Sequence, residues 1–141
     1  MKPDYVNAYA NKASSLSDIG KHDEAIECYD KALSLRPEDS DIYFNKGVDL
    51  RKMKRYNEAL KCFQTCLKLR SGDFECCLYL AECFAFLGKR KEALQNFKRA
   101  RFFLKETKQQ FPNKENSLKR NIIKLETQGI ILKKHPLEEY F

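Results

Sequence analysis

The sequence predicts an all-α solenoid of three helix-turn-helix repeats followed by one C-terminal capping helix. Three observations carry this. Apolar and small residues return at a fixed interval of 34 residues with no insertion, as in Ala25, Ala59 and Ala93 or Tyr29, Phe63 and Phe97. Within each copy the recurring positions lie three and four apart, the spacing of one helix face. Turn formers stand where that pattern pauses: Gly20-Lys21-His22, Pro37, Gly72 and Gly88-Lys89-Arg90. A fixed period of this size marks a stack in which each unit buries its apolar face against its neighbours.

The first helix is predicted over about Tyr5 to Ile19, and its partner runs to about Leu35. Tyr9, Ala13 and Leu16 of the first helix should face Ala25, Tyr29 and Ala32 of the second, the small residues letting the two backbones approach. Pro37 has no amide hydrogen to continue the helix, so the repeat ends there. Glu38-Asp39-Ser40 supplies capping or negative groups for the next helix start. Repeat two runs from about Ser40 to Leu69, with Gly47 in the close-packing column, Tyr56 in the turn, and a glycine-containing stop at Arg70-Ser71-Gly72-Asp73. Repeat three begins near Phe74; its second helix is expected to continue through Phe102, Phe103 and Leu104 to about Gln109, before Phe111-Pro112-Asn113. Leu118, Ile122, Leu125 and Leu132 then draw one apolar stripe, predicting a capping helix over about 113–133 with Gly129 as a weak point. The tail 134–141 is expected to be irregular. The whole chain, 1–141, is read as a single domain with repeats at about 6–39, 40–73 and 74–107.

The 141 residues suit one domain, and the 43% apolar content is enough for a continuous core. No apolar run approaches the roughly 20 residues needed to span a bilayer, and Met1-Lys2-Pro3-Asp4-Tyr5 lacks the order of a signal peptide. A soluble, cytoplasmic protein with no membrane partner is therefore expected. Six cysteines occupy positions where small or apolar residues would pack; Cys28 and Cys62 share one repeat column. Cys62 and Cys66 stand one turn apart, yet no Cys-x-x-Cys pair is present, and the reading is structural thiols with no metal site. His22 and His135 are tied by spacing to no nucleophile or acid, and no phosphate-binding glycine loop occurs. The expectation is a non-enzyme without cofactor. Net charge runs from −4 over residues 1–45 through +3 over 46–88 to +8 over 89–141, which is weighed as solvated helix faces or, alternatively, as a footprint for an acidic partner or nucleic acid.

The pairs Glu24-Ala25, Glu58-Ala59 and Glu92-Ala93, with Tyr29, Phe63 and Phe97, Ala32, Cys66 and Ala100, Tyr9, Tyr43 and Cys77, Ala13, Gly47 and Ala81, and Leu16, Leu50 and Phe84, keep one register in three copies. In this the chain resembles the tetratricopeptide repeat (TPR) family over about residues 5–106. The resemblance implies a right-handed α-solenoid whose first helices line a concave groove for a peptide segment of a protein partner, a scaffold or adaptor role. Its outward columns fall on Phe44, Asn45, Val48, Arg51 and Lys52 in repeat two and on Leu78, Tyr79, Glu82 and Phe86 in repeat three. Phe44, Val48, Leu78 and Phe86 are large apolar residues off the packing columns and would be the anchors; the alternative is that they pack on neighbouring helices. Arg51 and Lys52 would select acidic neighbours, and the Asn45 amide would hold the ligand backbone. In one TPR subclass a clamp of Lys, Asn and Arg grips chaperone carboxylates. Here those columns hold Ala10, Ser14, Asn45, Glu75 and Tyr79, so the clamp is expected to be absent. Three rival readings stay open: nucleic-acid or acidic-partner binding through Arg51, Arg55, Lys98, Arg99, Arg101 and Lys119; a self-associating module in which a homodimer or the tail Leu137 to Phe141 fills the groove; and a thiol or zinc protein using Cys62, Cys66, Cys76, Cys77 and Cys83.

Overall fold

The computed structural model describes residues 3–106, 118–120 and 122–123. Six helices follow in order: α1 (Pro3–Asp18), α2 (His22–Leu35), α3 (Ser40–Lys52), α4 (Tyr56–Leu69), α5 (Phe74–Phe86) and α6 (Arg90–Glu106). Residues 118–120 and 122–123 are also helical; the rest of the expected capping helix, the stretch beyond Glu106 to Gln109, and the tail 134–141 lie outside the described residues. The fold class is all-α, of the TPR solenoid type. The chain gathers into two compact units, Met1–Ser71 and Gly72–Phe141.

In the first unit, α1 packs against α2, α3 against α4, and α2 against α3. Its interior holds Val6, Ala13, Ala25, Tyr29, Ala32, Ile42, Leu50, Ala59 and Phe63. The small-residue columns act by proximity: a Cβ added at Gly47 would sit 2.8 Å from Cε1 and 2.9 Å from Cζ of Phe63. Phe63 is fully buried, so α3 and α4 meet at a distance that only a glycine allows. The second unit packs α5 on α6 around Cys77, Leu80, Ala81, Ala93, Phe97, Ala100 and Leu104, with Leu118 and Ile122 also buried.

The turn joining the two helices of each pair is the same device three times. The amide of Lys21 donates to Leu16 O at 2.8 Å and that of Gly20 to Ser17 O at 2.9 Å. Lys54 and Arg55 reproduce these bonds on Arg51 and Leu50, and Gly88 and Lys89 on Ala85 and Phe84. This is the paired 6→1 and 5→2 closure of the Schellman motif, which satisfies the last carbonyls of a helix and demands a left-handed residue. Gly20 (φ 83°) and Gly88 (φ 76°) fill that position in two turns, and Lys54 (φ 61°) fills it in the third.

Helix starts repeat as well. Asp39 accepts from the amides of Asp41 (3.1 Å) and Ile42 (3.3 Å), and Asp73, one period later, accepts from Glu75 (2.9 Å) and Cys76 (3.3 Å). Each carboxylate satisfies two of the donors that a helix leaves open at its first turn.

Candidate functional site

On α3 the nominated residues Phe44, Asn45, Val48, Arg51 and Lys52 fall within a sector of about 120° at 100° per residue, opposite the face carrying Ile42, Asp49 and Leu50. Asn45 and Lys52 are exposed, while Phe44, Val48 and Arg51 are half-buried. Phe44 is engaged from below: its ring meets Phe63 edge-on, centroids 5.9 Å apart at 66°. That contact orients the ring, and it also makes Phe44 part of the α3–α4 packing. Arg51 and Lys52 stand in the last turn of α3, where cations meet the negative end of the helix dipole.

On α5, in the second unit, Leu78, Tyr79 and Phe86 are half-buried and Glu82 is 8% exposed. These four share a sector of about 100°. The clamp columns hold Ser14 and Asn45 exposed, and Ala10, Glu75 and Tyr79 half-buried.

Ion pairs tie the first unit together both between repeats, at Asp30 and Asp23, and within repeat two, at Asp41 and Glu58. Lys46 meets Asp30 at 2.6 Å and Arg70 meets Asp41 at 2.9 Å. Arg55 grips Glu58 with two hydrogen bonds of 2.7 Å and reaches Asp23 at 3.7 Å. The fork holds the Glu58 carboxyl below its usual range and the Arg55 guanidinium above its own.

A polar cluster that the sequence did not disclose lies between α1, α2 and α3. Asp49 is 2% exposed, and the Ser17 hydroxyl donates to its Oδ1. His22, the first residue of α2, brings Nδ1 to 3.5 Å from the same oxygen, while Asp49 Oδ2 has no hydrogen-bond partner among the described residues. Tyr29 lies in the same field: burial first, then the charges of Asp49 and Asp18, push its phenol up to about 12. The hydroxyl is spent on the carboxylate and not on the imidazole, so these three residues do not form a nucleophile–base relay.

All six cysteines are buried thiols. Burial pushes the thiols of Cys62 and Cys77 up to about 11 each, which keeps them protonated and poorly nucleophilic at neutral pH. Among the described residues no helix is long and apolar enough to cross a membrane.

Paired helices closed by a shared turn, small residues at each crossing and a strict period define a TPR-type repeat protein. The family described as anaphase-promoting complex, cyclosome, subunit 3 matches residues 18–100, more than half of the chain. The chain belongs to that family, whose repeats are of the TPR type. Among solved structures, the Yersinia enterocolitica type III secretion translocator chaperone SycD is similar with a TM-score of 0.83 at 16% identity, covering 92% of this chain and 88% of SycD. The second TPR of Spaghetti (RPAP3) bound to the HSP90 peptide SRMEEVD gives 0.67 at 22% identity, covering 70% of this chain and 91% of that one. MamA gives 0.71 at 20% identity over 72% of this chain, which spans only 60% of MamA's length. No curated protein matches by sequence.

Proposed function

We propose that this chain is a non-catalytic protein–protein interaction module, a scaffold or adaptor that takes a peptide segment of a partner on the exposed face of its first helices. The observation that carries the reading is the α3 row: Asn45 and Lys52 exposed, Val48 and Arg51 beside them, and Phe44 seated edge-on against Phe63. An oriented aromatic beside an amide and two cations offers an apolar anchor, a backbone clasp and a charge filter within three turns of helix. The α5 row of Leu78, Tyr79, Glu82 and Phe86, in the second unit, is proposed as a peptide-contacting row in its own right. RPAP3 has been solved with an HSP90 peptide and SycD with a peptide of the translocator YopD, and the family's namesake is a subunit of a multi-protein complex; each supports a partner-docking role by analogy of fold and family. The chaperone carboxylate clamp is not the proposed mode, since Ala10 and Ser14 replace its basic and amide groups and Glu75 would repel a carboxylate. Six buried thiols suit a reducing compartment such as the cytoplasm.

The test is site-specific photo-crosslinking. A benzophenone amino acid at Asn45 should capture a discrete partner that the same probe at exposed Glu27 does not, and Val48→Asp should abolish that band. Equal capture at Asn45 and Glu27, or a band indifferent to Val48→Asp, would remove α3 as the working surface.

A further inference from the structure

The second helix of each repeat carries an exposed row in the same sequence columns, and the charge of that row inverts from the first copy to the third. On α2 its columns hold Asp23, Glu27 and Asp30; on α4 they hold Asn57, Lys61, Gln64 and Lys68; on α6 they hold Lys91, Gln95, Lys98, Phe102 and Lys105. All of these residues are exposed. In the first unit, Asp23 and Asp30 serve the fold by meeting Arg55 and Lys46. The lysines replacing them on α6 stand seven residues apart on one stripe of about 21 Å.

Phe102 interrupts this stripe between Lys98 and Lys105 and is 59% exposed. Its ring is held by Phe103, edge-on at 5.5 Å and 68°. Phe103 itself is half-buried, so the exposed aromatic is braced and not simply trailing in solvent. An oriented apolar ring flanked by cations is the composition of an interface anchor with a charged rim. The spacing distinguishes the partner. Seven residues is two helical turns, so a helix lying along α6 meets each lysine with one side chain per heptad. A single-stranded nucleic acid would present phosphates at a much closer pitch, and would favour several stacking rings and arginines in place of one phenylalanine and three lysines.

We propose that the α6 ridge Lys91, Lys98, Phe102 and Lys105 docks an acidic amphipathic helix of a protein partner, with carboxylates at heptad spacing and an aliphatic residue seated on Phe102. This surface is separate from the α3 and α5 rows. Its failure therefore leaves the proposed peptide-binding function standing, and the reverse also holds.

The probe is a fluorescein-labelled synthetic helix bearing three glutamates seven residues apart and a leucine placed to meet Phe102, titrated by anisotropy against the full chain. A control helix carries glutamine at the three acidic positions. The chain should bind the acidic helix about tenfold or more tightly than the control, and the preference should shrink as salt rises from about 50 to about 300 mM. Lys91→Glu with Lys98→Glu and Lys105→Glu should abolish binding and create binding to a lysine version of the helix. Phe102→Ala should weaken the acidic helix while sparing the salt dependence, and Val48→Asp should change nothing. Equal affinity for acidic and control helices would overturn the proposal, as would binding that survives the triple exchange. So would tighter binding of single-stranded RNA through the same lysines, or a chain that doubles its mass through this ridge, because the occupant would then be a nucleic acid or a second copy.

Discussion

Gly47→Ala is the sharpest test of how the first unit is packed. In an exposed helix this substitution would stabilise by about 0.5–1 kcal/mol, because alanine loses less backbone freedom on folding. Here the new methyl would meet three atoms of the Phe63 ring at 2.8, 2.9 and 3.1 Å. The ring has nowhere to retreat: Phe63 is 0% exposed and is braced on its edge by Phe44. Overpacking of this kind costs about 1–3 kcal/mol, and a ring that cannot move places this case in the upper half, about 2–3 kcal/mol; subtracting the alanine gain of about 0.5–1 kcal/mol leaves a net loss of about 1–2.5 kcal/mol. That corresponds to a fall in Tm of about 2–10 °C for a chain of this size. Urea denaturation followed at 222 nm would measure the loss, and the double variant with Phe63→Leu, which removes part of the ring, should recover some of it as a favourable coupling energy. A Gly47→Ala protein as stable as the parent, or more so, would refute the close approach of α3 and α4.

Lys54→Gly should stabilise by about 0.5–1 kcal/mol, since it relieves a left-handed lysine costing about 1–2 kcal/mol and gives back part of that in unfolded-chain entropy; Gly20→Ala, where the added Cβ would touch nothing within 4 Å, should destabilise through backbone strain alone. If thermal melts show Lys54→Gly neutral or harmful, the shared turn geometry is wrong. Asp39→Ala and Asp73→Ala should each cost about 1 kcal/mol by leaving two helix-start amides bare, and Asp→Asn at either site should recover most of it in the same melts. For the thiols the sign is set by burial. Cys62 and Cys77 keep their protons in the folded chain up to about pH 11 but lose them from their ordinary value of 9.0 when unfolded. The folded state therefore binds more protons between those values, and stability should fall as pH rises through that window, then further as Tyr29 approaches about 12. Urea midpoints that hold level from pH 8 to 11 would contradict this. Finally, if residues 1–141 act as a single domain, calorimetry should show one transition with equal van't Hoff and calorimetric enthalpies; two resolved transitions would mean two folding units.

The period of the array and the identity of its close-packing column were legible because both are local statements repeated three times. Gly47 is assigned to that column by its alignment with Ala13 and Ala81 alone. What escaped the sequence depended on backbone angles or on distant partners. Met53-Lys54-Arg55 carries no glycine, so nothing in it announced the left-handed turn that Gly20 and Gly88 advertise; the hydrogen bonds from Lys54 and Arg55 define it. Asp73 follows directly on the stop Arg70-Ser71-Gly72, and because a cap and a breaker draw on the same residues, only the accepted amides tell which role applies. His22 and Asp49 lie in different repeats, and no periodic pattern connects them. In the candidate site, the α3 and α5 columns followed from the resemblance, but the seating of Phe44 on Phe63 and the burial of Glu82 depend on neighbouring side chains that column positions do not specify.

The Ser17–Asp49 bond makes the order of the repeats matter. The Asp49 column holds Ser15 and Cys83 in the other copies, and the Ser17 column holds Arg51 and Ala85. Only the first copy offers a hydroxyl where the second needs a donor, so the modules have ceased to be interchangeable. Move the second to the front and its carboxylate loses the donor it has inside; place it after the third and it faces an alanine. The repeats thereby have a fixed order of succession, set from the interior.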